Sequence, residues 1–234
     1  MYTPIVALWV FLLQFLLTPW YLLFLEVGRG GIFARLQAER RTLIVEVCLA
    51  LVFAVLWDVW QYWIHRWQHV STLLWETHKF HHSDAALNAS SQARHHALSY
   101  VLYLVTYAPM LLLFGTFAPH AAVSIIMFRL WGFVNHANVR VPFGLLTTLI
   151  AGPQWHRIHH SIQEEHFDRN FAALFPFIDR VFGTYYAPAR DEYPPTGLPF
   201  QEERMLRQAT ISPLVAWSSA ILKTVRGRWR EPAA

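Results

Sequence analysis

Long apolar runs separated by short polar stretches are the main pattern along this chain. About 20 consecutive apolar residues cross the hydrocarbon core of a bilayer as an α-helix. Four runs approach that length, at residues 4–25, 43–64, 97–118 and 120–134. Charges inside them are sparse, since the first run has none, the second has Glu46 and Asp58, and the fourth has Arg129. The pattern predicts an all-α integral membrane protein with about four transmembrane helices.

The third and fourth runs meet at the sequence FGTFAPH, in which Gly115 and Pro119 are typical of a turn. We therefore expect these two runs to form a helical hairpin. A hairpin returns the chain to the side that it left. The histidine-rich stretches at residues 65–96 and 136–166 would then face the same compartment, as a helical cap on the membrane helices.

The composition supports a membrane protein with a single domain, residues 1–234. Hydrophobic residues make up 55% of the chain and charged residues only 15%, against about a quarter in soluble domains. A soluble protein with four buried core helices would need more charged residues on its surface, so the composition favours membrane insertion. The lone cysteine, Cys48, excludes an intrachain disulfide and a cysteine-rich metal site.

The charge distribution favours a cytoplasmic position for the histidine-rich face. The net charge is +4, and the tail at residues 223–230 is basic. Positive charge beside membrane segments is typical of the cytoplasmic side. The loop at residues 26–42 carries four arginines and argues the other way, unless the first two helices form a shallow pair that does not fully span. No aromatic and basic pattern typical of nucleic-acid binding accompanies the charge.

The C-terminal part, residues 187–234, differs from the rest of the chain. DEYPPTGLP at residues 191–199 predicts an exposed loop, and ISPLVAWSSAIL at residues 211–222 predicts a short interfacial helix before the basic tail.

All 13 histidines lie between His65 and His166, and eight of them form three groups with helical spacing. Residues three or four apart share one face of a helix, so the members of each group can converge on a common point. A single histidine on an apolar helix is most often a core residue, but many imidazoles beside a bilayer need partners. Eight exceed the coordination of one ion, which favours a two-metal site. The groups are HRWQH, HKFHH and HRIHH, with His65, His69, His78, His81, His82, His156, His159 and His160.

Other site chemistries lack their motifs in this sequence. No HExxH, Gly-x-Ser-x-Gly, P-loop or dinucleotide glycine fingerprint is present. Redox chemistry and transport remain for metals held at a membrane face. Imidazole binds iron, zinc, copper and nickel alike, so the ligand type leaves the metal open.

Several blocks of the chain resemble the fatty acid hydroxylase superfamily, the membrane histidine-rich di-iron oxygenases that include the sterol desaturases. The resemblance covers about residues 58–186 and follows the order of the family's blocks. The chain departs from the family at two places. In the closing block, Ile178 stands where the family usually has tryptophan before the aspartate. After the RHH block, the family usually has proline and a carboxylate, and this chain has Ala97 and Leu98. The blocks are DVWQYWIHRWQH, WETHKFHHSDAALN, RHH, NHANV, GPQWHRIHHS and DRNFAALFPFIDRVFGTYY.

The resemblance implies a four-helix membrane protein whose cytosolic cap holds two iron ions, with zinc as a substitute in purified protein. It implies that dioxygen and two electrons hydroxylate or desaturate a lipid C–H bond. The chain contains no fused electron carrier, so a separate cytochrome b-type or ferredoxin donor is expected. The choice between His95 and His96 stays open locally. Carried over by position, the ligands are His65, His69, His78, His81, His82, His96, His136, His156, His159 and His160, of which His96 and His136 come from the resemblance alone.

Three further polar residues are candidates for supporting the ligands. Asp58 is two helical turns before His65 and either orients a ligand imidazole or is a solvated interfacial carboxylate. Asn138 either supports a ligand or caps a helix. His166 is either a late ligand or proton donor, or part of a solvated acidic loop. Asp179 and Arg180 are expected to form a surface ion pair of small energetic value.

The leading hypothesis is a di-iron lipid hydroxylase or desaturase in the cell inner membrane or the endoplasmic reticulum. The alternative is a membrane haem or metal carrier without turnover, because paired histidines also serve as axial ligands. Apolar lining does not distinguish a sterol from a fatty acyl chain, a carotenoid or an ether lipid. The sequence therefore leaves the substrate open.

Overall fold

The computed structural model describes residues 42–114, 119–198 and 211–228. The apolar run at residues 4–25 lies outside them. The described part is helical and contains no β-strand, only an isolated bridge between Ser161 and Thr196. Its α-helices are α1 Leu43–Val70, α2 Thr72–His82, α3 Ala97–Phe114, α4 Pro119–Asn135, α5 Pro153–His159, α6 Phe177–Val181 and α7 Ser212–Arg228. Short 3₁₀ turns cover Ala89–Ala93, Gly144–Thr148 and Glu164–His166.

Helix α1 is the main membrane-crossing candidate. Its 28 residues give a length of about 42 Å, which exceeds a hydrocarbon core of about 30 Å. Within the described residues it is the one helix long and apolar enough to cross a membrane. The other two predicted spans within the described residues, Ala97–Phe114 and Pro119–Asn135, form shorter helices, and four transmembrane helices stay a prediction. The extra length of α1 carries His65 and His69 at its C-terminal end.

Ser71 makes the junction between α1 and α2. Its N–H donates to the carbonyl of Trp67 over 3.0 Å and closes α1. Its hydroxyl accepts the N–H of Leu74 over 3.3 Å and caps α2. One residue therefore ends one helix and starts the next, which turns α2 back beside the last turns of α1.

Helices α3 and α4 occupy the third and fourth apolar runs. Helix α3 ends at Phe114 and α4 begins at Pro119, so the break falls at the predicted turn. Helix α1 packs mainly against α4 and α2. Helix α7, the predicted interfacial helix, lies against α2, where the indole N–H of Trp217 donates to the carbonyl of Leu73 over 2.9 Å.

Two buried apolar clusters support the histidine-bearing end of the bundle. The first joins α1, α3, α4 and the segment after residue 170, and the second joins α1, α5 and α6. Burial of these side chains fixes the helices on which the histidines lie. The first cluster contains Phe53, Ala54, Trp57, Met110, Phe128 and Leu174. The second contains Tyr62, Ala151, Trp155, Phe171, Ala172 and Ile178.

Much of the remaining apolar surface is exposed. Leu43, Leu51 and Val52 on α1 are more than half exposed, as are Val105 on α3 and Leu130 on α4. A soluble monomer rarely shows an apolar surface of this extent. The helices therefore have the surface of a lipid-facing bundle.

Candidate metal centre

Helices α1 and α2 supply four imidazoles to one cluster. His65 and His69 are one turn apart on α1, and His78 and His82 are one turn apart on α2. The reversal at Ser71 brings the two pairs together. With one histidine from α5 they form a group whose ligand atoms all lie within 4.8 Å of one another, which we call the five-histidine group: His65, His69, His78, His82 and His159.

A second cluster of four buried histidines adjoins the first, with ligand atoms again within 4.8 Å of one another. The rings of His82 and His160, one from each cluster, stack with centroids 4.2 Å apart. Two metal positions would therefore be neighbours. We call this cluster the four-histidine group: His81, His136, His156 and His160.

Each HxxHH pentad divides between the two groups. In HRIHH, His156 and His160 enter the four-histidine group and His159 enters the five-histidine group. In HKFHH the outer pair belongs to the five-histidine group and His81 to the other. The expectation that all three members of a pentad meet at one point is therefore wrong, because the i and i+4 rings lie along one line of the helix and the i+3 ring is rotated away from it.

The ring nitrogens are spaced as ligands of common ions. The Nε2 atom of His82 lies 3.1 Å from that of His69 and 3.2 Å from that of His78. With metal–nitrogen bonds of about 2.0–2.1 Å, two ligand nitrogens on one ion are about 3.0–3.4 Å apart. In the other group Nε2 of His136 lies 3.1 Å from that of His81 and 3.2 Å from that of His156.

Hydrogen bonding alone does not account for this arrangement. The Nδ1 atom of His136 faces the carbonyl of Gly132 at 2.7 Å, so that nitrogen carries the proton and Nε2 holds a lone pair. Such an Nε2 has no proton to offer either of its two neighbours. A cation shared by the lone pairs satisfies all of them, so the residues present fit a pair of metal ions.

Burial keeps these imidazoles neutral. It lowers the pKa of His136 to about 4, against a smaller opposing effect of the Gly132 carbonyl. Burial first, and then the neighbouring imidazoles, lower the pKa of His156 and of His160 well below the usual value. Only neutral imidazole binds a metal, so the rings are in the ligand form at neutral pH.

Backbone carbonyls set the orientation of two rings in the five-histidine group. His65 Nδ1 lies 2.8 Å from the carbonyl of Phe171, and His159 Nδ1 lies 2.8 Å from that of Arg169. Each carbonyl holds the proton on Nδ1 and directs Nε2 to the cluster. The buried Nε2 of His159 has no hydrogen-bond partner among the described residues, as expected for a nitrogen awaiting a metal.

The structure brings together nine of the ten predicted ligands and leaves His96 outside both groups. His96 is buried, and its Nδ1 accepts the N–H of Leu98 over 3.1 Å. The ring beside the site is that of His95, which stacks on His81 with centroids 4.8 Å apart. Ligation by His96 stays a prediction of the family resemblance.

Asp58 takes neither of the roles proposed from the sequence. It is fully buried, and its carboxylate accepts the backbone N–H groups of Ala173, Leu174 and Phe175 over 2.6–3.0 Å. Both oxygens are thus used by the chain that follows the ligand-bearing helix α5. Asp58 supports the site through this segment and not through an imidazole.

The reading of Asp179 as half of a surface ion pair is also wrong. Asp179 is fully buried and accepts the N–H groups of Phe171 and Ala172 and the hydroxyl of Thr184 over 2.7–2.9 Å. A carboxylate close to a tight turn, here at Gly183 with φ of 76°, was the available signal. Its partners were hidden because acceptor and donors come together only in the folded chain.

Asn138 and His166 also differ from their predicted roles. Asn138 is exposed and accepts hydrogen bonds from Arg157 and Tyr193, so it neither caps a helix nor contacts an imidazole. His166 is buried, with Nδ1 2.9 Å from the Ser161 hydroxyl and Nε2 2.9 Å from Glu192. It links Ser161, which directly follows the last histidine of HRIHH, to Glu192 in the segment at residues 189–197. Nothing in the sequence indicated that Glu192 is its partner.

Comparisons with known proteins find similar sequences over the part of the chain that contains both histidine groups. The fatty acid hydroxylase family model matches residues 50–184, which include every ligand of both groups. The chain is 31% identical to alkylglycerol monooxygenase of Danio rerio over 58% of this chain and 30% of that protein. It is 30% identical to the Homo sapiens protein of the same name over 56% and 29%, and 27% identical to methylsterol monooxygenase 1-3 of Arabidopsis thaliana over 59% and 48%. The chain therefore matches less than half of these relatives' lengths. No solved structure matches it significantly.

Proposed function

Since this chain belongs to the fatty acid hydroxylase family, we propose that it is a membrane-bound di-iron oxygenase that hydroxylates or desaturates a C–H bond of a lipid. The observation that carries the proposal is the convergence of nine buried imidazoles into two adjacent groups. The five-histidine group would hold one iron and the four-histidine group the other. Bound iron would supply the one-electron and dioxygen chemistry needed to attack an unactivated C–H bond.

The residues of the chain itself do three things at this site. Backbone carbonyls orient His65, His136 and His159 so that Nε2 is the ligand atom. Burial holds the rings neutral and excludes water from the reacting region. The aromatic ring of Phe171, with its centroid 5.1–5.6 Å from those of His65, His69 and His159, closes the apolar side of the five-histidine group.

A lipid substrate is supported by the position of the centre on α1. Trp63 and Trp67 are 44% and 61% exposed and lie in the same two turns as His65 and His69. Tryptophan is typical of the membrane–water interface. The metals would therefore be at the interface level, where a carbon of a membrane lipid reaches them. Relatives named as monooxygenases, a sterol desaturase and an aldehyde decarbonylase agree with a lipid as the substrate class.

The proposal includes a cytoplasmic position for the histidine face and a separate one-electron carrier. Oxygenation with dioxygen consumes two electrons beyond those of the substrate, and no nicotinamide or flavin motif is present in the sequence. A cytochrome b-type or ferredoxin carrier with its reductase fits that need. The sequence bias of Lys and Arg supports the cytoplasmic face.

The spacing of the rings argues against the haem-carrier hypothesis. Haem axial ligands approach the iron from opposite faces of a porphyrin. Neighbouring Nε2 atoms in both groups are 3.1–3.2 Å apart, with imidazole centroids as close as 4.2 Å between the groups. That arrangement leaves no space for a porphyrin plane between paired rings.

We expect His78→Ala and His160→Ala each to lose metal and lipid-oxidising activity together, because each removes a ligand from one group. His120→Ala is the matched control, since residue 120 lies at the start of α4, about 22 Å along the helix from its C-terminal end. Metal analysis of purified protein and mass spectrometry of cellular lipids, seeking a gain of one oxygen or loss of two hydrogens, are the measurements. Full metal content and activity in either ligand variant would refute the assignment.

A further inference from the structure

Residues 169–175, which we call the strap, run beside the five-histidine group with an unusual hydrogen-bond pattern. Five consecutive backbone N–H groups, from Phe171 to Phe175, all donate to carboxylate oxygens. The first two donate to Asp179 over 2.7 and 2.9 Å. The next three donate to Asp58 over 2.8, 3.0 and 2.6 Å. Two side chains thus satisfy five consecutive backbone donors that belong to no helix or strand.

The two carboxylates come from different elements and are fully buried. Asp58 is on α1, 115 residues before its partner Ala173, and Asp179 is on α6. Thr184 donates its hydroxyl to Asp179 over 2.7 Å and lies 3.0 Å from the hydroxyl of Tyr62 on α1. The strap is therefore tied to the helix that carries His65.

Two carbonyls of the same strap face imidazoles. Phe171 accepts from His65, and Arg169 accepts from His159, each over 2.8 Å. Asn170 lies between them with φ of 60° and is held by its own side chain, which donates to the carbonyls of Trp155 and Tyr186 over 3.1 Å. The hydrogen bonds from the strap N–H groups to the two aspartates thus fix the backbone, and the fixed backbone sets the positions of the carbonyls that orient the rings of His65 and His159.

In the described part of the chain, no imidazole of the four-histidine group contacts the strap directly. The strap meets only neighbouring residues, since the carbonyls of Ala173 and Leu174 accept from the side chain of Asn135 and the N–H of Ala151 over 2.8 Å. The oriented member of the four-histidine group, His136, uses the carbonyl of Gly132 on its own helix. The contacts of the strap with ligands, through its carbonyls and through the ring of Phe171, go to His65, His69 and His159, all in the five-histidine group. A disturbance of the strap should therefore affect the metal position of the five-histidine group more strongly than that of the four-histidine group.

We propose that the strap determines the ring orientation of His65 and His159, and that Asp58 and Asp179 are positioning residues for the metal of the five-histidine group. The aspartates act through the backbone and touch no reacting atom. This inference rests on the proposed metal centre. Outer partners of metal ligands typically contribute about 10–100-fold in metal affinity, and the strap aspartates should fall in that range.

The experiment measures Zn²⁺ affinity in two single-group backgrounds of the full chain in detergent. His136→Ala/His156→Ala leaves the five-histidine group, and His69→Ala/His82→Ala leaves the four-histidine group. Asp58→Asn, added to each background, replaces one acceptor oxygen by an amide nitrogen, which donates and cannot accept. We expect about 10–100-fold weaker Zn²⁺ binding in the first background and a clearly smaller change in the second.

A control and a milder variant complete the design. Asp84→Asn is the matched control, since Asp84 also holds a loop, accepting from Ser91 and from the N–H of Ala86, but contacts no part of the strap. It should leave Zn²⁺ affinity unchanged in the first background. Thr184→Val removes one donor to Asp179 without removing a carboxylate. It should weaken Zn²⁺ binding at the five-histidine group, and it tests the inference if the aspartate variants fail to fold. The rate of amide hydrogen exchange of residues 171–175 in the metal-free protein should increase in the same variants that lose Zn²⁺ affinity.

Two results would overturn the inference in distinguishable ways. If Asp58→Asn and Thr184→Val change Zn²⁺ affinity equally in both backgrounds, or in neither, the strap has no selective role and the metal centre stands. If neither background binds Zn²⁺, the proposed metal centre fails and the strap's role fails with it.

Discussion

Gly152 shows how tightly single residues are constrained beside the metal centre. It is the N-cap of α5, the helix that carries ligands of both groups. A Cβ atom at this position would lie 2.8 Å from ring atoms of Phe143. Real Cβ atoms do not approach a ring that closely, so either the ring or the start of α5 must move.

We expect Gly152→Ala to destabilise the fold by about 1–3 kcal/mol, the usual cost of overpacking, and to reduce metal content because α5 shifts. Gly144→Ala is the matched control. Gly144 has φ of +54° and open space around its Cβ position, so the substitution costs about 1–2 kcal/mol of backbone strain without displacing α5. Thermal unfolding with metal analysis separates the two. A Gly152→Ala protein with full metal content would contradict the prediction.

At the level of elements, the segment at residues 189–197 and helix α5 form one unit. The side-chain amide of Gln154 donates to the carbonyls of Ala189, Arg190 and Glu192 over 2.7–3.1 Å. Arg157 on the same helix donates to the carbonyl of Pro194 over 2.8 Å. Polar side chains of α5 therefore hold a segment that has no regular structure of its own.

Replacing Gln154 by Leu should detach this segment, because similar volume is kept while three carbonyls lose their donor. We expect a loss of about 1–3 kcal/mol of stability and faster amide exchange across residues 189–197. Gln163→Leu is the control, since the side chain of Gln163 is exposed and its backbone N–H makes the contact to Ser161. Unchanged exchange in Gln154→Leu would show that the segment is held by other contacts.

For the whole molecule, the proposed metal centre joins elements that are distant in the chain. Its histidines come from α1, α2 and α5 and from the residues directly after α4 and α5. Many neutral imidazoles with unshared lone pairs are buried at one place, and this is costly without a cation. Metal binding should therefore contribute directly to the stability of the folded bundle.

Removal of metal by a chelator should lower the Tm of the protein in detergent. A ligand present at about 100 times its Kd stabilises by about 2.7 kcal/mol, which corresponds to about 5–10 °C for a chain of this size. The His78→Ala/His160→Ala double variant is the control and should show little response. Equal Tm values for the wild-type protein before and after complete metal removal would contradict a stabilising centre.

Much of the site could be predicted from local spacing, and the errors share one cause. Eight ligands followed from histidines three and four residues apart and His136 from the family resemblance, and these nine of the ten predicted ligands lie in the two groups. The roles of Asp58 and Asp179 could not be predicted, because their backbone partners are unremarkable in sequence. Which of His95 and His96 lies beside the site could not be predicted either. The side chains of adjacent residues point in different directions, and the path of the chain between α2 and α3 decides which ring contacts His81.

The sequence by itself determined the chemistry of the ligands, their approximate number and the helical, apolar character of the chain, because these depend on residue type and on spacing within one element. Only the tertiary structure decided how the histidines are shared. It separated His159 from His156 and His160, because the rings of one short helix point to different neighbours. It also placed Asp58 against a strap 115 residues away, since backbone donors acquire partners only when distant elements pack together.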